Sequence, residues 1–297
     1  RSYNPATNLL SVEYDLSYTS AHLHMNLTSY NNLLYSCSTV GGTYNEGQIF
    51  SYNPANNQYI ALYSLQNPSG INGAGAVTVY NNKLWGFTQH GSIYDNGSLF
   101  SYNLLTSTFA TAIALGGTEL QNPGGPLLYY NNKIYGTSEN GGTFYNEDQG
   151  AGGIYEFDPA TNQYSVKVNL HDSIGNTYDN GGFTLLNNKF YGVSSYGGNN
   201  SEGSLYVYDP ATNLVNKLHD FEFATGSRPF SALSVYNGKL YGTCKDGSSN
   251  GVGNLFEYNP VTNVYAQKVV LDNSKGTLTY GQLTWYNNKF YGVCFGG

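Results

Sequence analysis

One sentence, repeated along the chain, constrains its fold more than any other feature. "LWGFTQHGSIYDNGSLFSYN" (84–103) returns as "LYSCSTVGGTYNEGQIFSYN" (34–53), "FYGVSSYGGNNSEGSLYVYD" (190–209) and "LYGTCKDGSSNGVGNLFEYN" (240–259). It occurs in longer form at 134–158 and is clipped to "FYGVCFGG" at 290–297. The box aromatics Tyr35, Trp85, Tyr135, Tyr191, Tyr241 and Tyr291 are spaced by 50, 50, 56, 50 and 50 residues, the long step falling in "YNEDQGAGG" (145–153). A period of this length marks an array of equal supersecondary units, none of which buries its apolar face alone.

Each unit reads as four short strands. Strand a, such as "AVTVY" (76–80), runs into Asn81-Asn82, Asn131-Asn132, Asn187-Asn188, Asn237-Gly238 or Asn287-Asn288. These residues tolerate the positive φ that a two-residue type I′ hairpin needs at both centres. Strand b is the "KLWGFT" box, strand c is "GSLFSYN", and "NPATN" or "DPATN" turns the chain into strand d, such as "QYIALYSL" (58–65). Asn or Asp bonds the backbone ahead of it, and Pro presets φ. Strands b and c are apolar on both alternating faces, which requires sheets stacked on either side. Gly86, Gly136, Gly192, Gly242 and Gly292 are expected to let an aromatic approach the backbone.

The expected fold is all-β: a six-bladed β-propeller of four-stranded antiparallel blades forming a single domain over 1–297. The chain opens on strands c and d and closes on strands a and b. One blade is therefore expected to be composite, built from 1–16 and 278–297, which removes two open sheet edges. Part of that blade's b–c loop and strand c has no counterpart at the junction. Either the chain continues beyond its given ends, the preferred reading, or the half-blade pairs with another copy to build a homo-polymer.

The pattern "LYGT…GG…G.LF.Y.P.T", clearest at 240–262 and 134–161, resembles the tandem GloVer repeat of bacterial secreted proteins, named for Gloeobacter and Verrucomicrobia. Ser36 replaces the box glycine, and "NLLTS" (103–107) lacks the proline. The unit is also similar to a kelch blade. The resemblance implies an exported propeller and no particular activity.

Composition narrows the function classes. Charged residues are 10% and aromatics 15%, with 30 Tyr and 37 Gly, which is the makeup of a folded, turn-rich chain. A net charge of −7 argues against nucleic acid as a partner. No apolar run reaches the ~18 residues of a membrane span. Low charge with abundant Tyr, Asn, Gly and Thr resembles secreted or cell-surface bacterial proteins. Sequons occur at Asn26, Asn96 and Asn199. Three Cys leave no complete disulfide framework. Cys244 and Cys294, at equivalent places in adjacent blades, are expected too far apart to bond and are read as free, buried thiols.

In such a meander the b–c and d–a loops share one end of the blades, and the a–b and c–d turns share the other. Thirteen of the nineteen carboxylates map to the first end, while Lys83, Lys133, Lys189, Lys239 and Lys289 map to the second. One acidic and one mildly basic face are expected, with function on the acidic face. The candidate ligand-binding residues there are Tyr44, Tyr94, Asp95, Tyr145, Asp172, Tyr178, Asp179, Tyr196, Asp220, Arg228 and Asp246. Tyrosine rings stack on sugar faces while carboxylates and amides reach hydroxyls; the competing reading is that loop aromatics pack over blade ends.

No catalytic residue is assigned. "HLH" (22–24) lacks a third metal ligand, and His171-Asp172 and His219-Asp220 recur as repeat features. Nucleophile elbows, phosphate loops, His-Glu-x-x-His and sialidase-type Asp boxes are missing. No cofactor is expected; "YNEDQG" and "YDNGG" offer calcium-like oxygens without an EF-hand pattern. The expected role is non-catalytic: an exported binding or scaffold protein taking a glycan or a cell-surface protein. The alternatives are a self-assembling fibre subunit, and a hydrolase or lyase using acidic loops around a central channel.

Overall fold

The computed structural model describes residues 2–4, 9–11, 27–116, 120–141, 152–171, 173–175, 181–279, 281–286, 289–292 and 294–296. Among them every regular element is a strand. The chain divides into two compact units, Arg1–Ala114 and Leu115–Gly297.

The first unit holds two four-stranded antiparallel sheets. One is built from Thr28–Tyr30, Leu33–Ser38, Gln48–Asn53 and Gln58–Ser64, and the other from Ile71–Tyr80, Lys83–His90, Ser98–Asn103 and Thr108–Ala114. Ser2–Asn4 pairs with Leu9–Ser11, the hairpin expected of strands c and d. The second unit repeats the meander in Leu120–Tyr130, Lys133–Gly141, Gly153–Asp158 and Gln163–Asn169. It does so again in Thr184–Leu186, Lys189–Ser194, Ser204–Asp209 and Leu214–Asp220. A fifth sheet joins Lys239–Asp246, Asn254–Asn259 and Val264–Val270 to a strand a in two pieces, Ser227–Pro229 and Ser234–Tyr236. The C-terminal strands pair as Thr277–Thr279 with Cys294–Gly296 and Thr284–Tyr286 with Lys289–Tyr291.

Local sequence chemistry explains the meander. Both central residues of the a–b turn have positive φ: 50° and 56° at Asn81-Asn82, 47° and 60° at Asn131-Asn132, 48° and 70° at Asn237-Gly238. At the c–d turn the Asx side chain accepts the backbone N–H two residues on, as Asn53 does from Ala55 at 2.9 Å and Asp209 from Ala211 at 3.0 Å. Strand a starts earlier than expected, at Ile71 rather than 76, and the d–a connection is correspondingly shorter. Strand b extends past the box and offers backbone groups to that earlier segment, pairing Ile71 with His90 and Ser227 with Asp246.

Strands b and c bury both faces, as Leu84 through Thr88 and Ser98 through Tyr102 illustrate. The box glycines sit opposite strand c aromatics: Gly86 pairs with Phe100, Gly192 with Tyr206, Gly242 with Phe256. A Cβ on Gly192 would lie 2.6 Å from the Tyr206 ring, so the glycine makes room for the aromatic to cross the strand. In the first unit Tyr35, Ile49, Val77, Leu84 and Phe100 pack one sheet on the next. In the second, Leu205, Phe221, Leu240 and Phe256 do the same. Inner strands are also laced by hydroxyls: Thr28 donates to the Val77 carbonyl, and Thr184 to that of Leu233 at 2.6 Å. Cys37 and Cys244 are buried thiols outside any disulfide; burial pushes the Cys37 thiol up to about 12 and raises that of Cys244 well above its ordinary value. The Cys294 side chain lies outside the described residues.

Candidate functional site

Four of the b–c loops are seven-residue closures, each tied from its last residue to its first. The N–H of Gly47 donates to the Gly41 carbonyl at 3.1 Å, Gly203 to Gly197 at 3.0 Å and Gly253 to Gly247 at 3.1 Å. Both glycines of each closure have positive φ, a conformation that side chains resist. The end of strand d is then tied on, Leu65 N–H to the Gly47 carbonyl at 2.9 Å and Phe221 N–H to that of Gly203 at 3.0 Å. These bonds hold the loop backbone in place and leave the tip side chain to vary.

At the tip the two units differ. Asn200 and Asn250 in the second unit return their amides to the Phe221 and Leu271 carbonyls at 3.0 and 3.2 Å. Tyr44 and Tyr94 stand at the same loop positions in the first unit and are 55% and 58% exposed. Beside Tyr94, Ile93 is 71% exposed. The candidates Tyr44 and Tyr94 are therefore presented to solvent and not folded over the sheet ends. Asp95 instead shapes its own loop. With φ 59° it accepts the Gly91 N–H at 2.9 Å, as Asn45 does from Gly41 at 3.2 Å.

In the second unit three of the candidates converge. The Arg228 guanidinium lies over the Tyr196 ring, 5.4 Å from its centroid, and 3.6 Å from Asp246. Glu202, absent from the sequence candidates, is 3.7 Å away on the other side. Arg228 adopts φ 53° within Ser227–Pro229, and its N–H donates to the Glu202 carbonyl at 2.9 Å. Asp220 closes strand d. It accepts the Asn199 N–H and the Lys217 ammonium, each at 2.8 Å. Burial acts to raise its pKa, but these two donors outweigh burial and hold the carboxyl below its usual range. Phe223, 55% exposed in the d–a connection, is a further surface aromatic that sequence reasoning missed. Its signal is the alternation in "DFEFATG" (220–226), where Phe221 is fully buried and Phe223 points outward.

Two of the histidines are engaged locally. His219 stacks on Tyr265 at 4.1 Å, and burial lowers its pKa. His171 bonds the Ser173 hydroxyl at 2.7 Å. Tyr145, Asp172, Tyr178, Asp179, His22 and His24 lie outside the described residues, as does most of both calcium-like loops. Among the described residues no group of three or more His, Cys, Asp or Glu is placed to hold a metal ion. No described helix is long and apolar enough to cross a membrane.

At the opposite end, three of the five turn lysines are paired with carboxylates. Lys133 pairs with Asp158 at 2.5 Å, Lys189 with Asp209 at 3.3 Å and Lys239 with Glu257 at 2.9 Å. Lys133 and the Ala160 N–H hold the Asp158 carboxyl down at about 2. The end of strand c faces the a–b turn across the sheet, so its carboxylates pair with these three lysines, while Lys83 faces Asn103 and lies over the Trp85 ring at 5.7 Å.

Solved structures similar to this chain are propeller-like. A chain of a nidogen/laminin complex aligns with a TM-score of 0.53 at 11% identity, covering 84% of this chain and 80% of its own. The extracellular domain of a one-component system from B. thetaiotaomicron gives 0.57 at 12% identity, covering 92% of this chain. This chain spans only 32% of that larger one. No curated protein matches the chain. The Gloeobacter/Verrucomicrobia repeat matches residues 2–148 and again 142–297. Glycine-closed loops, Asx turns and box glycines thus recur on a matched repeat that spans nearly every residue, and the chain belongs to the Gloeobacter/Verrucomicrobia repeat family.

Proposed function

We propose that this chain is an exported, non-catalytic binding propeller that takes a glycan on its b–c and d–a loop end. The observation that carries this reading is the presentation of Tyr44 and Tyr94. Their loop positions hold backbone-tying asparagines in the second unit, and here they carry exposed rings on a fixed backbone. Exposed aromatics on a preorganised loop stack on sugar faces at small entropic cost. The uses already found for the carboxylates favour binding over hydrolysis: Asp95 closes its loop, Asp220 holds Lys217, Asp246 faces Arg228 and Asp272 holds Lys275. The repeat count supports a six-bladed ring with the sixth blade shared between 1–16 and 278–297.

A glycan array probed with the full chain tests the reading. Saturable binding lost in both Tyr44→Ala and Tyr94→Ala, with an unchanged melting temperature, is the expected result. Binding indifferent to both substitutions, or confined to protein partners, overturns it.

A further inference from the structure

A second feature lies at the other end of the sheets, where the a–b turns meet the c–d turns. Within the second unit a cleft of about 410 Å³ opens between the third and fourth sheets, in the size range of small-molecule sites. Its walls include Tyr130, Asn131 and Tyr135 on one side and Asn188, Lys189 and Asp209 on the other.

Two equivalent tyrosines are engaged elsewhere in the chain. In the first unit the Tyr30 hydroxyl donates to Asn82 Oδ1 at 2.8 Å, joining the two walls. Further along the second unit Tyr236 stacks on Trp285 with centroids 3.7 Å apart, which covers its ring. At Tyr130 neither closure exists. The residue in the place of Trp285 is Leu185, itself 40% exposed. Tyr130 leans edge-on against Phe190 at 5.2 Å, and among the described residues no hydrogen bond engages its hydroxyl or the Asn188 side-chain amide. Tyr135 is fixed by its hydroxyl bond to Glu156 at 2.6 Å. The closures seen at Tyr30 and Tyr236 are thus missing at Tyr130, which leaves a cleft open.

The wall chemistry is specific. Tyrosine rings offer faces to C–H groups, asparagine amides both donate and accept, and the Lys189–Asp209 pair adds a donor and an acceptor without net charge. From this we propose that the cleft is a binding site for a neutral pyranose, separate from the loop-end site. A ring of this size in a half-open cleft binds with a Kd on the order of 1 mM.

The test is a saturation-transfer NMR titration of the full chain with the methyl glycosides of glucose, galactose, mannose and N-acetylglucosamine. The informative variant is Asn188→Gly, because the equivalent turn already carries Gly at 238 and glycine accepts the φ of 58° found at Asn188. It removes the amide and keeps the turn. At least one sugar is expected to bind saturably to the parent chain. Asn188→Gly and Tyr130→Ala should each weaken it by about tenfold, with no change in melting temperature for the former. Tyr44→Ala should leave this binding intact. The proposal fails if none of the four sugars binds saturably, or if binding is unchanged in both cleft variants. Loss in Tyr44→Ala alone would sustain the loop-end site and discard this one.

Discussion

Gly242→Ala is the sharpest probe of how these sheets pack. The added methyl would sit 2.6 Å from Phe256 Cζ and 2.7 Å from Leu233 Cδ2. Comfortable carbon contacts begin near 3.5 Å, so each approach is short by about 1 Å. Neither neighbour has room to retreat: Phe256 is 0% exposed and Leu233 1%, and the ring is also held by Phe221 at 5.3 Å and Tyr265 at 5.4 Å. Overpacking a close-packed core by one methyl costs about 1–3 kcal/mol. The lower entropy of the unfolded alanine chain offsets about 0.5–1 kcal/mol of that. A net destabilisation of about 0.5–2 kcal/mol follows, equal to about 1–4 °C in Tm for a chain of this size. Urea denaturation followed by tyrosine and tryptophan fluorescence measures it. Phe256→Leu and the double variant complete a cycle, in which the new methyl enters the space left by the ring. The double variant should therefore be more stable than the two single costs added together, by about 1 kcal/mol. A stabilising Gly242→Ala, or strictly additive costs, would refute the argument. Ser36, at the same box position, shows what accommodation requires. It faces Phe50, whose ring lies closer to its strand d neighbour, 5.0 Å from Tyr59 against 5.4 Å for Phe256 and Tyr265.

Two further outcomes are expected. Burial lowers the His219 pKa in the fold, while the unfolded residue protonates near the ordinary value of about 6.5, so the unfolded state binds more protons around and below that pH. Stability from this residue is complete above about pH 6.5 and declines as pH falls from there; His219→Phe keeps the stack on Tyr265 and should flatten that decline in a urea midpoint–pH profile, whereas parallel profiles would discount the effect. Cys37 and Cys244 are buried with raised thiol pKa values, so in a Cys294→Ser background no thiol should react with Ellman's reagent at about pH 8 until urea unfolds the chain. Rapid reaction in native buffer would contradict the packing described.

Much of the architecture was readable because it is local. Asn-Asn before Lys specifies a two-residue hairpin through the φ of two residues, and Asn-Pro specifies the next turn through one side-chain bond. Gly opposite an aromatic is likewise a cross-strand relation, and a fixed period makes it visible. The candidate binding residues were harder. Tyr44 and Tyr94 look like any of the 30 tyrosines until exposure separates them from buried Tyr155, Tyr206 and Tyr258. Asp95 and Asp220 look like ligand acids until their backbone partners are seen.

The sequence alone determined the repeat, the four-strand meander, the turn types and the family, because each rests on neighbours a few residues apart or on self-similarity at a fixed step. Only the tertiary structure decided that Arg228, Tyr196, Glu202 and Asp246 meet, that Lys133, Lys189 and Lys239 pair with carboxylates, and that the cleft at Tyr130 stays open while Tyr30 and Tyr236 are covered. Those outcomes depend on which side chains face one another between strands, loops and adjacent sheets. A difference of one residue, such as Leu185 where Trp285 stands, changes the contact without changing the repeat.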